Sequence, residues 1–277
     1  MPELPEVETA RKKIAAIATG QVIQKIQVLG DTIVFSNVAP TAFAQKLKGR
    51  TVHQIHRHGK YLWWEMDTPP HPVFHLGMTG HFASPGLENI ELESGSPMGD
   101  HWPPRFWKVH MEFENGQKLA MTNARRFGRI LLYKDPLTES AIGKMGFDPL
   151  TQPISPKEFC EQIMNKKAVL KGLLLNQAFI AGVGNWMADE ICYQAKVAPQ
   201  RKCNTLTLKE AKTIYRVLLK IVDKACSVNA DKNRFPKSWL FHHRWGKDET
   251  AQTSKGETIV FQTVSGRTTA WVPSRQI

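Results

Sequence analysis

The chain opens Met1-Pro2-Glu3-Leu4-Pro5-Glu6-Val7-Glu8-Thr9, and its second residue carries the sharpest chemistry. If Met1 is removed, which a small second residue permits, Pro2 becomes a free secondary amine. Such α-amino groups titrate near ~8, against ~10.4 for lysine. Roughly a tenth of the amine is then unprotonated at neutral pH, against well under a thousandth of a lysine. That favours it by about two orders of magnitude as a nucleophile towards a carbonyl-like carbon. A secondary amine also gives an iminium that is cationic without a proton, and Glu3 beside it can move protons. A helix start explains part of the same stretch: Pro5 suits a first turn, and Glu6 and Glu8 suit the positive helix end. It does not explain a second proline at position 2. With no basic n-region and no apolar run of signal-peptide length, no targeting segment is expected.

Other positions have two readings each. Gly182-Val183-Gly184-Asn185 predicts a tight turn with backbone N–H groups beside a helix N-terminus, which binds phosphate well; close helix packing accounts for the same glycines. Arg267 follows a Ser265-Gly266 turn, where its guanidinium either meets a phosphate or is solvated. Cys160, Cys192, Cys203 and Cys226 form no C-x-x-C pair. Three of them fall in helical patterns, where a buried free thiol is the usual explanation. A reducing compartment is therefore expected, and a disulfide framework or zinc site is not. His242-His243 reads as surface or stacking rather than as a ligand.

The elements that must position these residues divide the chain. After a first helix, residues 21–35 alternate as two strands around Gly30-Asp31, and Ala42–Leu47 suits a short helix. Strands follow over Thr51–His56, Tyr61–Met66, Val73–Leu76, Trp107–Glu114, Leu119–Thr122 and Arg129–Tyr133, interrupted by a polar loop over 84–104. From Ser155 the period becomes helical, with helices expected near 155, over Val169–Gln177, Trp186–Ala195 and Leu208–Val228. Thr258–Val264 and Thr268–Val272 read as a hairpin. The fold class is α+β: an N-terminal two-layer β-sandwich with flanking helices over 1–135, a linker over 136–152, a helical domain over 153–240 and a β-hairpin over 241–277.

Net charge is +12 across 277 residues, and it is uneven: +3 over residues 1–135 and +9 over residues 136–277. A basic C-terminal half points to a polyanion partner or to a solvated basic surface. No stretch approaches the ~20 apolar residues of a membrane span.

In order along the chain stand PELPEVET at 2–9, Arg57-His58-Gly59-Lys60-Tyr61-Leu62, HLGMTG at 75–80, NARRFG at 123–128, LKGLLLNQ at 170–177, GVGNWMADE at 182–190 and GRTTAW at 266–271. Together they resemble the formamidopyrimidine-DNA glycosylase/endonuclease VIII family over nearly the whole chain. The plant and fungal type is the better match, because the C-terminal hairpin lacks the four zinc-finger cysteines of the bacterial pattern. The resemblance thus implies a helix-two-turn-helix domain with a zincless finger, and neither a metal nor another cofactor.

The resemblance also implies base-excision repair of damaged double-stranded DNA by a monomer, in the nucleus of a eukaryote or in bacterial cytoplasm. The implied reaction is removal of an oxidised base through a Schiff base on Pro2, then β,δ-elimination. Glu3 matches the catalytic acid/base, Glu6 a helper, and Lys60 a lysine on the phosphate beside the lesion. Asn185 and Arg267 match the other phosphate contacts, and Lys171 a lysine of the lesion pocket region, although Gly172 stands where the family usually has proline. Met78, Arg125 and Phe127 match side chains that fill the void left by an extruded base. Residues 227–240 look short beside the bacterial loop over flipped 8-oxoguanine. Weak excision of that base relative to formamidopyrimidines and hydantoins is therefore expected. The alternative is a damaged-DNA-binding protein without catalysis.

Overall fold

The computed structural model describes residues 2–85, 101–246, 248 and 250–277. It divides into two compact units, Met1–Lys144 and Met145–Ile277.

The first unit runs α1 (Leu4–Ala18), β1 (Ile23–Val28), α2 (Pro40–Leu47), β2 (Val52–His58), β3 (Tyr61–Met66), β4 (His71–His75), β5 (His81–Ala83), β6 (Trp107–Phe113), β7 (Lys118–Thr122) and β8 (Arg129–Tyr133). The strands form two four-stranded sheets, ordered β1-β6-β7-β5 and β2-β3-β4-β8, with every pairing antiparallel. Alternation along β3 sends Leu62, Trp64 and Met66 into the core, where they meet Phe74, Phe113 and Ile130. Each large apolar side chain fully enclosed there contributes roughly 1.5–3 kcal/mol. Helix α1 touches β2 and β3 of one sheet and β5 and β7 of the other, burying Leu4, Val7, Ile14 and Ile17. Pro5 sits in its first turn, where no N–H is needed.

The strand pair expected over 21–35 is not formed. β1 ends at Val28 and pairs with β6, Val28 opposite Val109. Beyond it the Asp31 carboxylate accepts the Ile33 and Val34 N–H groups at 3.2 and 3.3 Å. A short side chain bonding its own backbone competes with a ladder and curls the chain instead. Phe35 then makes a single bridge to Ile130. Most of the loop expected over 84–104 lies outside the described residues. The segment expected as a linker, 136–152, divides: α3 (Pro136–Glu139) and a 3-10 turn over Ala141–Lys144 belong to the first unit and the rest to the second.

The second unit contains α4 (Pro156–Met164), α5 (Leu170–Leu174), α6 (Asn185–Ala195), α7 (Leu208–Ser227) and the hairpin β9 (Val260–Val264) and β10 (Arg267–Trp271). Helix α7 starts with a capping box: the Glu210 N–H donates to Thr207 Oγ1 at 3.3 Å, and the Thr207 N–H to Glu210 Oε2 at 2.7 Å. It buries Ile214, Leu218 and Ile221. Helix α5 is shorter than the expected Val169–Gln177, because Asn176 and Gln177 turn their side chains onto the following backbone. The hairpin closes through Ser265 and Gly266, at φ 50° and 72°. Positive φ at both positions is the type I′ turn that matches strand twist. Ile259, Ala270 and Val272 pack with Tyr193 of α6 and with Leu240, seating the hairpin on the helix. All four cysteines are free and buried.

Candidate active site and nucleic-acid interface

Glu3 is the residue before α1, and Glu6 lies in its first turn. Pro2 is buried, as are Glu3 and Glu6, 2% and 9% exposed. Glu6 Oε2 accepts the Glu3 N–H at 2.9 Å. Burial, and then the charge of Glu3, pushes the Glu6 carboxyl up to about 7. Such a group exchanges a proton readily at neutral pH. The carboxylates that cap the helix start thus lie beside position 2.

Lys60 occupies the second place of the two-residue turn between β2 and β3, after Gly59 at φ 56°. Arg57, its side chain fully enclosed, pairs with Glu8 of α1 at 3.0 Å and donates to the Gly59 carbonyl at 3.1 Å. One buried guanidinium therefore ties the helix that carries Glu3 and Glu6 to the turn that carries Lys60. Burial opposes ionisation of Glu8, but hydrogen bonds from Arg11 and Arg57 outweigh it and hold the carboxyl low.

Met78 and the Arg125–Phe127 pair sit on two turns of the same unit. Phe127 is 52% exposed, unusual for a phenylalanine, and the Arg125 guanidinium lies 5.2 Å from its ring centroid. Arg126 between them is at φ 56° and pairs with Asp31 at 2.9 Å. His75 precedes the Met78 turn. Burial, then Lys60 and Arg129, pushes its pKa down to about 4, and its neutral Nδ1 accepts the Gly77 N–H at 3.2 Å.

In the second unit, Asn185 is the first residue of α6 and Arg267 the first of β10. The fold brings them together: Asn185 Nδ2 donates to the carbonyl of Thr268 at 2.9 Å, next to Arg267, whose side chain is exposed. The glycine turn before α6 is held by Gln177, which accepts the Gly182 N–H at 3.0 Å and donates to the Val183 carbonyl at 2.9 Å.

Lys171, matched by its motif to a lysine of the lesion pocket region, lies inside the second unit. Its side chain is fully enclosed, 2.6 Å from Asp189 Oδ1. It also donates to Thr269 Oγ1 at 2.7 Å and to the Thr268 carbonyl at 3.0 Å. The ammonium is thus held by one ion pair and two hydrogen bonds. Gly172 has its own reason: a Cβ there would lie 2.6 Å from Ser265 Oγ at the hairpin tip.

Asp189, Arg244, Gln177, Arg57 and Glu8 were missed as positioning residues. Asp189 and Glu190, adjacent acids between the apolar stretches of α6, are the available signal. The rest have none, since Arg57 and Glu8 are 49 positions apart, Arg244 and Asp189 55, and the Gln177 contacts lie beyond the end of α5. Among the described residues, no group of three or more His, Cys, Asp or Glu side chains is arranged for a metal. No helix among them is long and apolar enough to cross a membrane.

Two family models match the chain: the formamidopyrimidine-DNA glycosylase N-terminal domain over residues 1–130 and the formamidopyrimidine-DNA glycosylase H2TH domain over residues 145–237. A formamidopyrimidine-DNA glycosylase of Arabidopsis thaliana is 36% identical over 277 residues, covering 100% of this chain and 71% of that protein. One of Heliobacterium modesticaldum is 35% identical over 217 residues, covering 78% of this chain and 75% of that protein. The crystal structure of the Lactococcus lactis enzyme, bound non-covalently to DNA containing an AP site, superposes with a TM-score of 0.81 at 25% identity, covering 99% of both chains. That of the Thermus thermophilus protein gives 0.78 at 27%, covering 99% of this chain and 98% of that one. Matched from its N-terminal strands through its helical domain, the chain belongs to the formamidopyrimidine-DNA glycosylase family.

Proposed function

We propose that the protein is a bifunctional DNA glycosylase and abasic-site lyase of the zincless, plant and fungal type. Pro2, freed of Met1, attacks C1′ of a damaged nucleotide and the N-glycosidic bond breaks. The resulting iminium acidifies the C2′ proton, and two eliminations expel the flanking phosphates. Glu3 moves protons at this centre, and Glu6 buffers it. Lys60 in the first unit, and Asn185 and Arg267 in the second, hold backbone phosphates, while Met78, Arg125 and Phe127 occupy the vacated stack. The observation that carries the reading is the buried Pro2-Glu3-Glu6 cluster, where Glu6 titrates at about 7. A helix cap alone would be better served by an ionised carboxylate.

Formamidopyrimidines and hydantoins are the proposed substrates, with 8-oxoguanine the poorer one. In support, the segment after α7 packs inward: Phe235 and Trp239 are 3% and 4% exposed, and Trp186 sits 5.7 Å from Phe235. The hairpin carries no cysteine, which supports a zincless finger. The Arabidopsis thaliana relative supports a eukaryotic, and so a nuclear, setting.

Borohydride trapping on an abasic-site duplex tests the proposal. A covalent adduct that is lost in Pro2→Gly is expected. A parent protein that binds the duplex without forming an adduct would instead be a damaged-DNA-binding protein. Equal rates on 8-oxoguanine and hydantoin duplexes would overturn the lesion order.

A further inference from the structure

Asn123 lies between the turn that carries Met78 and the turn that carries Arg125 and Phe127. It is 1% exposed, and both ends of its amide are used. Nδ2 donates to the Leu76 carbonyl at 3.0 Å, before the Met78 turn. Oδ1 accepts the Gly128 N–H at 3.1 Å, after Phe127. Its own N–H donates to the Phe106 carbonyl at 3.0 Å, which anchors the residue where β6 begins and β7 ends.

The surrounding glycines fit the two turns against this amide. A Cβ on Gly80 would lie 2.5 Å from Asn123 Nδ2, and one on Gly128 only 2.2 Å from it. A Cβ on Gly77 would lie 2.5 Å from the Gly128 nitrogen. Only glycine fits at these three positions, so the two turns and the amide pack with no room for a side chain between them. Gly77 at φ 66° and Arg126 at φ 56° also fix the direction in which each turn leaves the sheet.

We infer that Asn123 is a positioning residue that couples the two turns into one wedge, so that Met78, Arg125 and Phe127 enter the helix together. Resting on the proposed glycosylase reading, this concerns base extrusion and not the chemistry at Pro2. An amide suits the task because it donates at one end and accepts at the other in a neutral state. An ionised carboxylate of the same size would face the Leu76 carbonyl with no hydrogen to give.

The test compares the parent protein, Asn123→Ala and Asn123→Asp. Opening of a lesion duplex is followed by stopped-flow fluorescence of a 2-aminopurine beside the lesion. Borohydride trapping on a single-stranded abasic oligonucleotide, which has no stack to fill, reads Pro2 alone. Asn123→Ala is expected to slow opening about tenfold, the effect of leaving buried polar groups unpaired, with single-strand trapping unchanged. Asn123→Asp is expected to open slowly at pH 8 and to recover relative to the parent as pH falls, because the neutral carboxyl regains a donor. Should Asn123→Ala fail to fold, the Asn123→Asp profile decides. A profile parallel to the parent's overturns the inference, and so does an Asn123→Ala protein that opens DNA at the parent rate. A parent protein that forms no adduct on either substrate sinks the glycosylase reading instead.

Discussion

Lys171 Nζ lies 2.6 Å from Asp189 Oδ1, with both side chains wholly enclosed. The other carboxylate oxygen of Asp189 meets Arg244 at 2.6 Å and the Ala270 N–H of β10 at 3.1 Å. One acid thus joins α5, α6, the segment leading into β9 and the hairpin itself. Replacing it should therefore be more harmful than replacing either cation. Asp189→Asn leaves two buried cations around a neutral amide and is expected to cost about 3–5 kcal/mol. Lys171→Met leaves Arg244 to balance the acid and should cost less. Chemical denaturation of the two variants gives the order.

The carboxyl of Glu6 sets a pH dependence. Its pKa in the folded chain is about 7 against an ordinary 4.5, so the native state holds this proton more tightly than the unfolded state. Its contribution is most favourable below about 4.5 and is lost as pH rises towards 7. Glu6→Gln keeps an oxygen for the Glu3 N–H and removes the titration. At pH 8 this variant should be more stable than the parent by about 1–3 kcal/mol, with no gain at pH 4. Its single-turnover cleavage profile should also lack the inflection near pH 7, and an inflection that persists would place that titration elsewhere.

Phosphate contacts leave a salt signature. If Lys60 and Arg267 each neutralise a phosphate, removing either lowers the slope of log affinity against log salt by about 0.9. Asn185→Ala removes a neutral contact and should weaken binding with the slope kept. Fluorescence anisotropy with an abasic duplex over a range of salt concentrations separates the two cases.

Gly172 and Ser265 form a close pair, with 2.6 Å between a built Cβ and Ser265 Oγ. Gly172→Ala should lift the hairpin tip and weaken DNA binding several-fold through Arg267. Ser265→Gly alone should do little, and the double variant should recover the loss. A double-mutant cycle on binding affinity measures this coupling; additive effects would show that the hairpin tip is indifferent to α5.

Local patterns made most elements legible. The alternation of β3, the capping box of α7 and the Ser265-Gly266 turn follow from neighbours within a few residues. The strand expected after Gly30 is displaced by the Asp31 carboxylate, which curls the chain onto the Ile33 and Val34 N–H groups. Lys108 at 2.8 Å and Arg126 at 2.9 Å then fix that carboxylate, and both lie far outside residues 21–35.

The sequence by itself determined the family, through ordered motifs, and the chemical candidates, because the N-terminal amine, the carboxylates and the cations are properties of residue types. Tertiary structure decided which of those groups face outward and which are enclosed. Lys171 matches a pocket lysine in its motif yet lies inside the second unit, paired with Asp189 and bonded to the Thr268 carbonyl, 18 and 97 positions away. Glu6 could be an ordinary helix-end acid by sequence. Only burial beside Glu3 moves its pKa to about 7, because desolvation depends on what surrounds a carboxyl in space.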